Sequence, residues 1–483
     1  MKGFAIHNAP TDHGGIIPST QMRSAQLGNL FVRAGDGHFC PKCKCWSTVV
    51  KSHDHIIFDD KAVAYVGDQL TCGAKILPQQ SHVVGESGAS YSGTQSNRSF
   101  VDSENNSSNN FIKNEKYEIF LKDIARMLFV PFGASNLKNP NNKTYDKTMS
   151  FHGSVIRGVF ERITLEVKRD GKYFKICQIE GLFTANKNFK FEWDGFIDEV
   201  YDSKFFTAVQ GVEFRVKGFN GGNEMCLNEK IFQFKYFKEN WIDVRINKKL
   251  NHIFIKLRVN LIDGGARGLS NGNLVPREEI EKYKTRPYTT QTQSFKQLLS
   301  LALTGINYYW SRNNNHPTGK NITLNDKKYE VFVKAELSSA NAIPEMKLTY
   351  VTNLNPNDPL FRSSNWFASR KTAYTAGYLR IDNSWVFRQS IVSDNKFKET
   401  IAHETGHALV GAYAKIGASN THHGSSTIYQ TPKLGTLYPK VGEIDLMKYA
   451  ADSLGNSPDW EERMVANEQD VAGLLVISGI SKK

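Results

Sequence analysis

Ala34-Gly35-Asp36-Gly37-His38-Phe39-Cys40 returns, 32 residues on, as Val66-Gly67-Asp68-Gln69-Leu70-Thr71-Cys72, with the Gly-Asp pair and the cysteine both in step. Around these stretches lie turn glycines and short pairs of apolar residues (Ile16-Ile17, Val49-Val50, Ile56-Ile57, Val83-Val84) with no helical periodicity. Residues 1–85 are therefore predicted to wind as short repeated strands. So small a unit has a thin core, and a metal at one end would replace the missing apolar burial. Cys40, Cys43, Cys45 and Cys72 supply the ligands, and the spacing within Cys40-Pro41-Lys42-Cys43-Lys44-Cys45 favours a metal cluster over a disulfide framework. Cys177 and Cys226 sit in strand-like apolar runs and read as buried core thiols.

Outward from this region the texture changes three times. Residues 86–110 are rich in Ser, Asn and Gly and read as a linker. Residues 111–265 carry short alternating runs, such as Arg162–Arg169 and Val212–Phe219, broken by Asp-Gly and Gly-Gly turns, and predict an antiparallel β domain, sandwich or barrel. Residues 266–290 look like a hinge. Residues 291–483 then alternate helix and strand: a helix over Phe295–Trp310, strands at Lys327–Leu337 and Lys347–Leu354, and a second helix over about Lys396–Tyr413.

The chain has 483 residues, 40% of them hydrophobic, and 61 basic against 48 acidic residues leave a net charge of +13. It can bury sizeable cores, and its charge suits an anionic partner, although the basic residues are scattered as on solvated faces. No apolar run is long enough to span a bilayer and the first residues lack the apolar core of a signal peptide, so synthesis as a soluble cytoplasmic protein is expected.

The second helix contains His403-Glu404-Thr405-Gly406-His407. Residues four apart share a helix face, so His403 and His407 can offer two imidazoles to one Zn2+, with Glu404 beside its open position. This HExxH pattern predicts zinc-dependent hydrolysis, with Glu404 as the base that takes a proton from water and passes it to the leaving amine. Position 413, where a metzincin would place its third ligand, is Tyr413, so that subclass is excluded. A gluzincin would use a later glutamate, Glu443 or Glu468. Gly442-Glu443-Ile444-Asp445-Leu446-Met447-Lys448-Tyr449 resembles the aspzincin pattern Gly-Thr-x-Asp-x-x-Tyr-Gly, which implies Asp445 as third ligand, with Glu443 or His422 as alternatives. His422, Tyr449 or Tyr438 are candidates to stabilise the oxyanion. Glu461, Glu462, Glu468 and Asp470 read as the solvated face of a last helix.

His13-Gly14-Gly15, the run from Ala34 to Pro41 and the run from Val66 to Ala74 together resemble the PAAR-repeat proteins that cap the bacterial type VI secretion spike, over about residues 3–85. The resemblance implies a small β cone seated on the trimeric spike protein, with Zn2+ or Fe2+ held near its point. His13 and Cys40 match the family's motif positions, Cys43 replaces the histidine of Cys-Pro-x-His-Gly, and Cys72 joins them; Cys45, His53 and His55 are alternatives. From about Gln291 onward, the HETGH helix, Thr421–Ser426, Gly442–Tyr449 and Glu462–Val471 resemble the metallopeptidase toxins fused to such tips.

The expected architecture is thus multidomain: an N-terminal all-β PAAR cone, a central antiparallel β domain, and a C-terminal α+β zincin-like metallopeptidase domain. The implied function is a type VI effector, secreted without a signal peptide, that cuts peptidoglycan stem peptides or proteins in the periplasm or cytoplasm of a rival bacterium. Implied partners are the spike protein, an adaptor or chaperone, and an immunity protein. A spike tip with a catalytically silent extension is the alternative. A metal-dependent nuclease around His422-His423 is disfavoured, since no aromatic–basic nucleic-acid surface is evident.

Overall fold

The computed structural model describes residues 2–21, 25–26, 29–53, 56–58, 61–79, 84–85, 116–134, 144–359, 361–366, 369–382, 384–414, 439–448 and 459–483. It is mostly β with few helices and divides into two compact units, residues 1–109 and 110–483. The expected linker at 86–110 lies outside the described residues. Among those residues no helix is long and apolar enough to cross a membrane.

The first unit is built from two- to four-residue strands and single bridges. Its backbone closes a triangular ring: Ala5 N donates to Ala64 O (2.8 Å), Ala64 N to Val32 O (2.9 Å) and Val32 N to Ala5 O (2.9 Å). Side chains on such a narrow axis must be small or β-branched, and the core there is Ala5, Ala9, Val32, Val49, Ala64 and Ala74 with Ile17, Leu70 and Ile76. The repeated Gly-Asp has one structural cause in both copies. Gly35 and Gly67 turn with φ of 87° and 88°, and each buried aspartate reaches back to a backbone N–H, Asp36 to Arg33 (2.9 Å) and Asp68 to Tyr65 (2.8 Å).

The second unit begins with two antiparallel sheets. Glu118–Ile124, Met149–Arg157 and Asn188–Trp193 form one; Lys172–Phe183, Phe160–Arg169, Val212–Asn220 and Asn223–Phe232 form the other. Alternation along the strands sends aromatic rings inward, where Phe151 meets Phe214 (centroids 4.7 Å apart) and Trp193 meets Phe206 and Phe214. Cys177 and Cys226, expected to be buried in the core, are half-buried, and burial pushes their thiols up to about 12 and about 11.

The expected boundary at 266–290 lies inside this unit. A nine-stranded mixed sheet crosses it. The 16-residue strand His252–Arg267 pairs antiparallel with Ile242–Asn247, parallel with Lys327–Leu337 through its first half, and parallel with Ile343–Leu354 through its second. Ser369–Leu379 follows, with Ser364–Trp366 antiparallel at the edge. The connection itself is ordered: a helix at Arg277–Tyr283 sets Tyr283 against Trp385 and Phe387. The last strand, Ile480–Lys482, pairs back with Phe234–Tyr236, tying the chain's last residues to the early part of the unit.

Among the described residues, three longer helices belong to this unit. Helix α1 (Phe295–Trp310) has the bounds its periodicity predicts and opens with a capping box between Ser294 and Gln297. Helix α2 runs over Ser390–Ala414, beginning about six residues before the predicted start, and α3 spans Glu468–Ile477. Lys238 donates to the carbonyls of Ala412 (3.1 Å) and Tyr413 (2.7 Å), meeting the negative end of α2 with a cation. Helices α1 and α2 cross with backbones in contact at Gly305, where an added Cβ would lie 2.3 Å from Lys398 O and 2.7 Å from Lys398 Cα. Gly305→Ala must push the helices apart and is expected to cost about 1–3 kcal/mol, measured by urea unfolding; an unchanged midpoint would contradict this packing.

Candidate functional site

In the first unit, three turns deliver four ligands to one place. Thr11–Gly15 and Leu70–Ala74 are the same turn, each closed by the first residue's N–H on the fifth carbonyl (both 2.8 Å) and the fourth N–H on the first carbonyl (2.9 and 2.8 Å). His13 and Cys72 occupy the same central position in these two turns. The third turn joins the strands Gly37–Cys40 and Cys45–Thr48, with Lys44 N on Cys40 O (2.9 Å), and brings Cys40 and Cys43. His13 Nδ1 lies 3.6 Å from Cys40 Sγ, 3.4 Å from Cys43 Sγ and 4.0 Å from Cys72 Sγ, and all four donor atoms lie within 4.8 Å of one another.

One imidazole and three thiols at this separation are the donor set that a tetrahedral zinc-type ion satisfies. Hydrogen bonds from the Ser47 side chain and the Ala74 backbone hold the Cys72 thiol down at about 6, towards the thiolate that binds metal. The alternatives fall away from the cluster: His53 Nε2 is on Val63 O (2.8 Å), and Cys45 is exposed on the hairpin beyond Cys43. His55 lies outside the described residues. Cys40→Ser is expected to remove one metal equivalent from the purified full chain by elemental analysis; unchanged content would rule the cluster out as a metal site.

In the second unit, α2 passes through the interior, so Ile401, Ala402, Leu409 and Val410 are buried together with His403, Glu404 and His407. Trp310 Nε1 donates to Ala402 O (3.0 Å), and Asn365 Nδ2, from the edge strand, donates to Glu404 O (2.5 Å). The imidazoles of His403 and His407 lie one helical turn apart, ring centroids 4.9 Å. Burial lowers the His403 pKa. The Glu404 carboxylate is 3.8 Å from His407 Nε2, and its Oε2 is buried with no hydrogen-bond partner among the described residues. Burial, reinforced by Glu399, pushes Glu404 up to about 8. Two buried imidazoles on one face and a buried carboxylate oxygen lacking such a partner fit a divalent metal with an adjacent base.

The other predicted site residues are placed differently. Among the described residues no carboxylate, thiol or third imidazole joins His403 and His407 as a three-donor group. Asp445, expected as third ligand, accepts instead from Met447 N (2.9 Å) and Asn467 Nδ2 (2.8 Å), because its segment is drawn into a parallel pairing with Met464–Val465. Glu443 is held by both terminal nitrogens of Arg312 (2.5 and 2.9 Å), and Glu468 accepts from Thr323 N. His422, His423, Tyr438 and Tyr449 lie outside the described residues. Asp470, predicted on a solvated face, is fully buried, with its carboxylate accepting from Tyr413 OH (2.5 Å) and Asn467 Nδ2 (3.1 Å).

Sequence reasoning missed Leu446, whose carbonyl accepts from His403 Nδ1 (2.7 Å), and Asn467. Asn467 is legible only as the N-cap of α3, accepting from Asp470 N (3.0 Å); its donation to Asp445 has no sequence signal.

No curated protein matches the chain. Residues 7–78 match the PAAR motif family, the stretch that holds both Gly-Asp turns and all four clustered ligands, and this supports a type VI secretion spike-tip role for the first unit, with association to the spike that such a role implies.

Proposed function

We propose that the chain is a type VI effector carried on the spike tip, whose second unit is a zinc-dependent peptidase acting on peptidoglycan stem peptides or proteins of a rival bacterium. The observation that carries this reading is the burial of His403, Glu404 and His407 side by side on α2, a costly arrangement unless a metal and a proton-transfer role use it. His403 and His407 would hold the ion. Zinc bound there supplies Lewis acidity towards a substrate carbonyl and a nearby water.

The chain's own residues do the rest. Leu446 O accepts a hydrogen bond from His403 Nδ1–H, which leaves Nε2 as the ligand atom. Glu404 would receive a proton from the attacking water at its carboxylate and return it to the leaving nitrogen. The buried surroundings of α2 keep competing water from that carboxylate.

The test is incubation of the full chain with isolated sacculi and, separately, with an unfolded protein, with products read by mass spectrometry and chelator-treated controls alongside. Chelator-sensitive muropeptide cleavage establishes a cell-wall endopeptidase; cleavage of the protein alone moves the target to proteins. No cleavage with zinc bound at α2 would favour a spike tip with a silent extension.

A further inference from the structure

Asp445 immediately precedes Leu446, whose carbonyl meets His403, and its carboxylate is engaged by Met447 and Asn467 in contacts that have a direction. Residues Gly442–Lys448 are clamped from two sides. Arg463 Nε donates to Gly442 O (2.8 Å), while Arg312 forks onto Glu443 and also donates to Ala466 O (2.8 Å). Ile444 and Asp445 pair with Met464 and Val465, and Leu446 N donates to Val465 O (3.0 Å). Within this clamp Asp445 Oδ1 takes Met447 N–H (2.9 Å), closing a turn over Leu446 that aims its carbonyl at His403 Nδ1 (2.7 Å).

A hydrogen-bond chain anchors the turn from behind. Asp445 Oδ2 takes one N–H of Asn467 (2.8 Å), Asn467 donates also to Asp470 Oδ2 (3.1 Å), and Asp470 Oδ1 takes Tyr413 OH (2.5 Å). Tyr413 is on α2, so the circuit leaves the helix at Tyr413 and returns to it at His403. Every group in it is buried: Asp445, Asn467, Asp470 and Tyr413 are all less than 7% exposed. Buried polar groups this fully satisfied hold geometry tightly.

We propose that Asp445 and Asn467 are positioning residues for His403, fixing the Leu446 carbonyl that sets its tautomer and ring orientation, and that Asp445 is not a metal ligand. The inference rests on the reading of His403 and His407 as metal ligands. A carbonyl only accepts, so the proton sits on Nδ1 and Nε2 carries the lone pair; loosening Leu446 O frees the ring to rotate or change tautomer.

Zinc affinity of the full chain, by chelator competition, tests this, following the zinc that His403→Ala removes. Asp445→Ala and Asn467→Ala are each expected to weaken that zinc by about 10–100-fold, and the double variant by little more than either alone, because both act through one carbonyl. An Asp445→Ala loss exceeding the Asn467→Ala loss by more than about tenfold would make Asp445 a ligand and overturn the proposal. So would variants whose zinc-free melting temperature falls while zinc affinity of the folded protein is unchanged, since that is a purely structural role. If His403→Ala removes no zinc from the wild-type complement, the metal-site reading itself fails and this inference falls with it.

Discussion

Glu404→Gln is expected to lower peptide hydrolysis by about 10²–10⁴-fold while leaving zinc content and melting temperature at wild-type values. Glutamine keeps the volume and hydrogen-bonding reach of the side chain but cannot take up a proton at the reacting water. The effect should be large because proton transfer at the reacting water depends on a carboxylate that is buried on α2 beside both imidazoles. His403 and His407 do not depend on it for their place: α2 is pinned by Trp310, Asn365 and Lys238 through backbone atoms. Turnover of whichever substrate the wild-type chain cuts, measured beside zinc by elemental analysis, checks this. Equal turnover in the variant would remove Glu404 from the chemistry; parallel loss of zinc and activity would make it a ligand or a structural support instead.

A fragment beginning at residue 288 is expected not to fold, whereas residues 110–483 should fold as a body. Cutting at 288 removes the strand His252–Arg267 and leaves Lys327–Leu337 and Ile343–Leu354 without the partner that both pair with. Ile253, Ile255, Leu257 and Val259, all at most 2% exposed, leave the interior together with Phe234–Tyr236 and the Lys238 cap on α2. Fully burying one such aliphatic side chain contributes about 1.5–3 kcal/mol, so four of them exceed about 6 kcal/mol, comparable with the whole stability of an ordinary domain. Near-ultraviolet circular dichroism and amide dispersion report it. A cooperative melt from the short fragment would show that the mixed sheet is not needed to hold α2.

The same strand runs up to the expected hinge at 266–290 and pairs with strands on its far side. Its alternation is that of any half-buried strand, and nothing in the sequence names its partners. The glycines after it suggested a hinge, but they serve close packing: a Cβ at Gly268 would lie 1.7 Å from Thr352 O. Glycine composition marks a loose linker and a tight backbone contact alike. Local signals fared better. Three- and four-residue apolar spacing marks α1, and the resemblance to the PAAR repeats, with the close-set cysteines, points to the four residues that converge in the first unit. In the first turns of α2 (Ser390–Asn395) the apolar residues Ile391 and Val392 are adjacent and exposed, so no three- or four-residue apolar spacing marks the helix start. Asp470 looked like a surface acid because its partners, Tyr413 and Asn467, come from elsewhere in the fold and are invisible at its own position.

The triangular ring of the first unit also governs how that unit comes into being. Its sides join Ala5 to Ala64, Ala64 to Val32 and Val32 to Ala5, and the ligand turns join His13 to Cys72, 59 residues apart. None of these contacts is local, so neither the ring nor the ligand set can close until distant segments meet. Loop-closure entropy is spent before long-range pairing returns anything, and chains of this topology fold in about milliseconds to seconds, where helical domains of similar length need microseconds to milliseconds. On the ribosome the ring stays open until Ala64 has emerged and the ligand set stays incomplete until Cys72 has, so this unit closes only once nearly all of its residues are available.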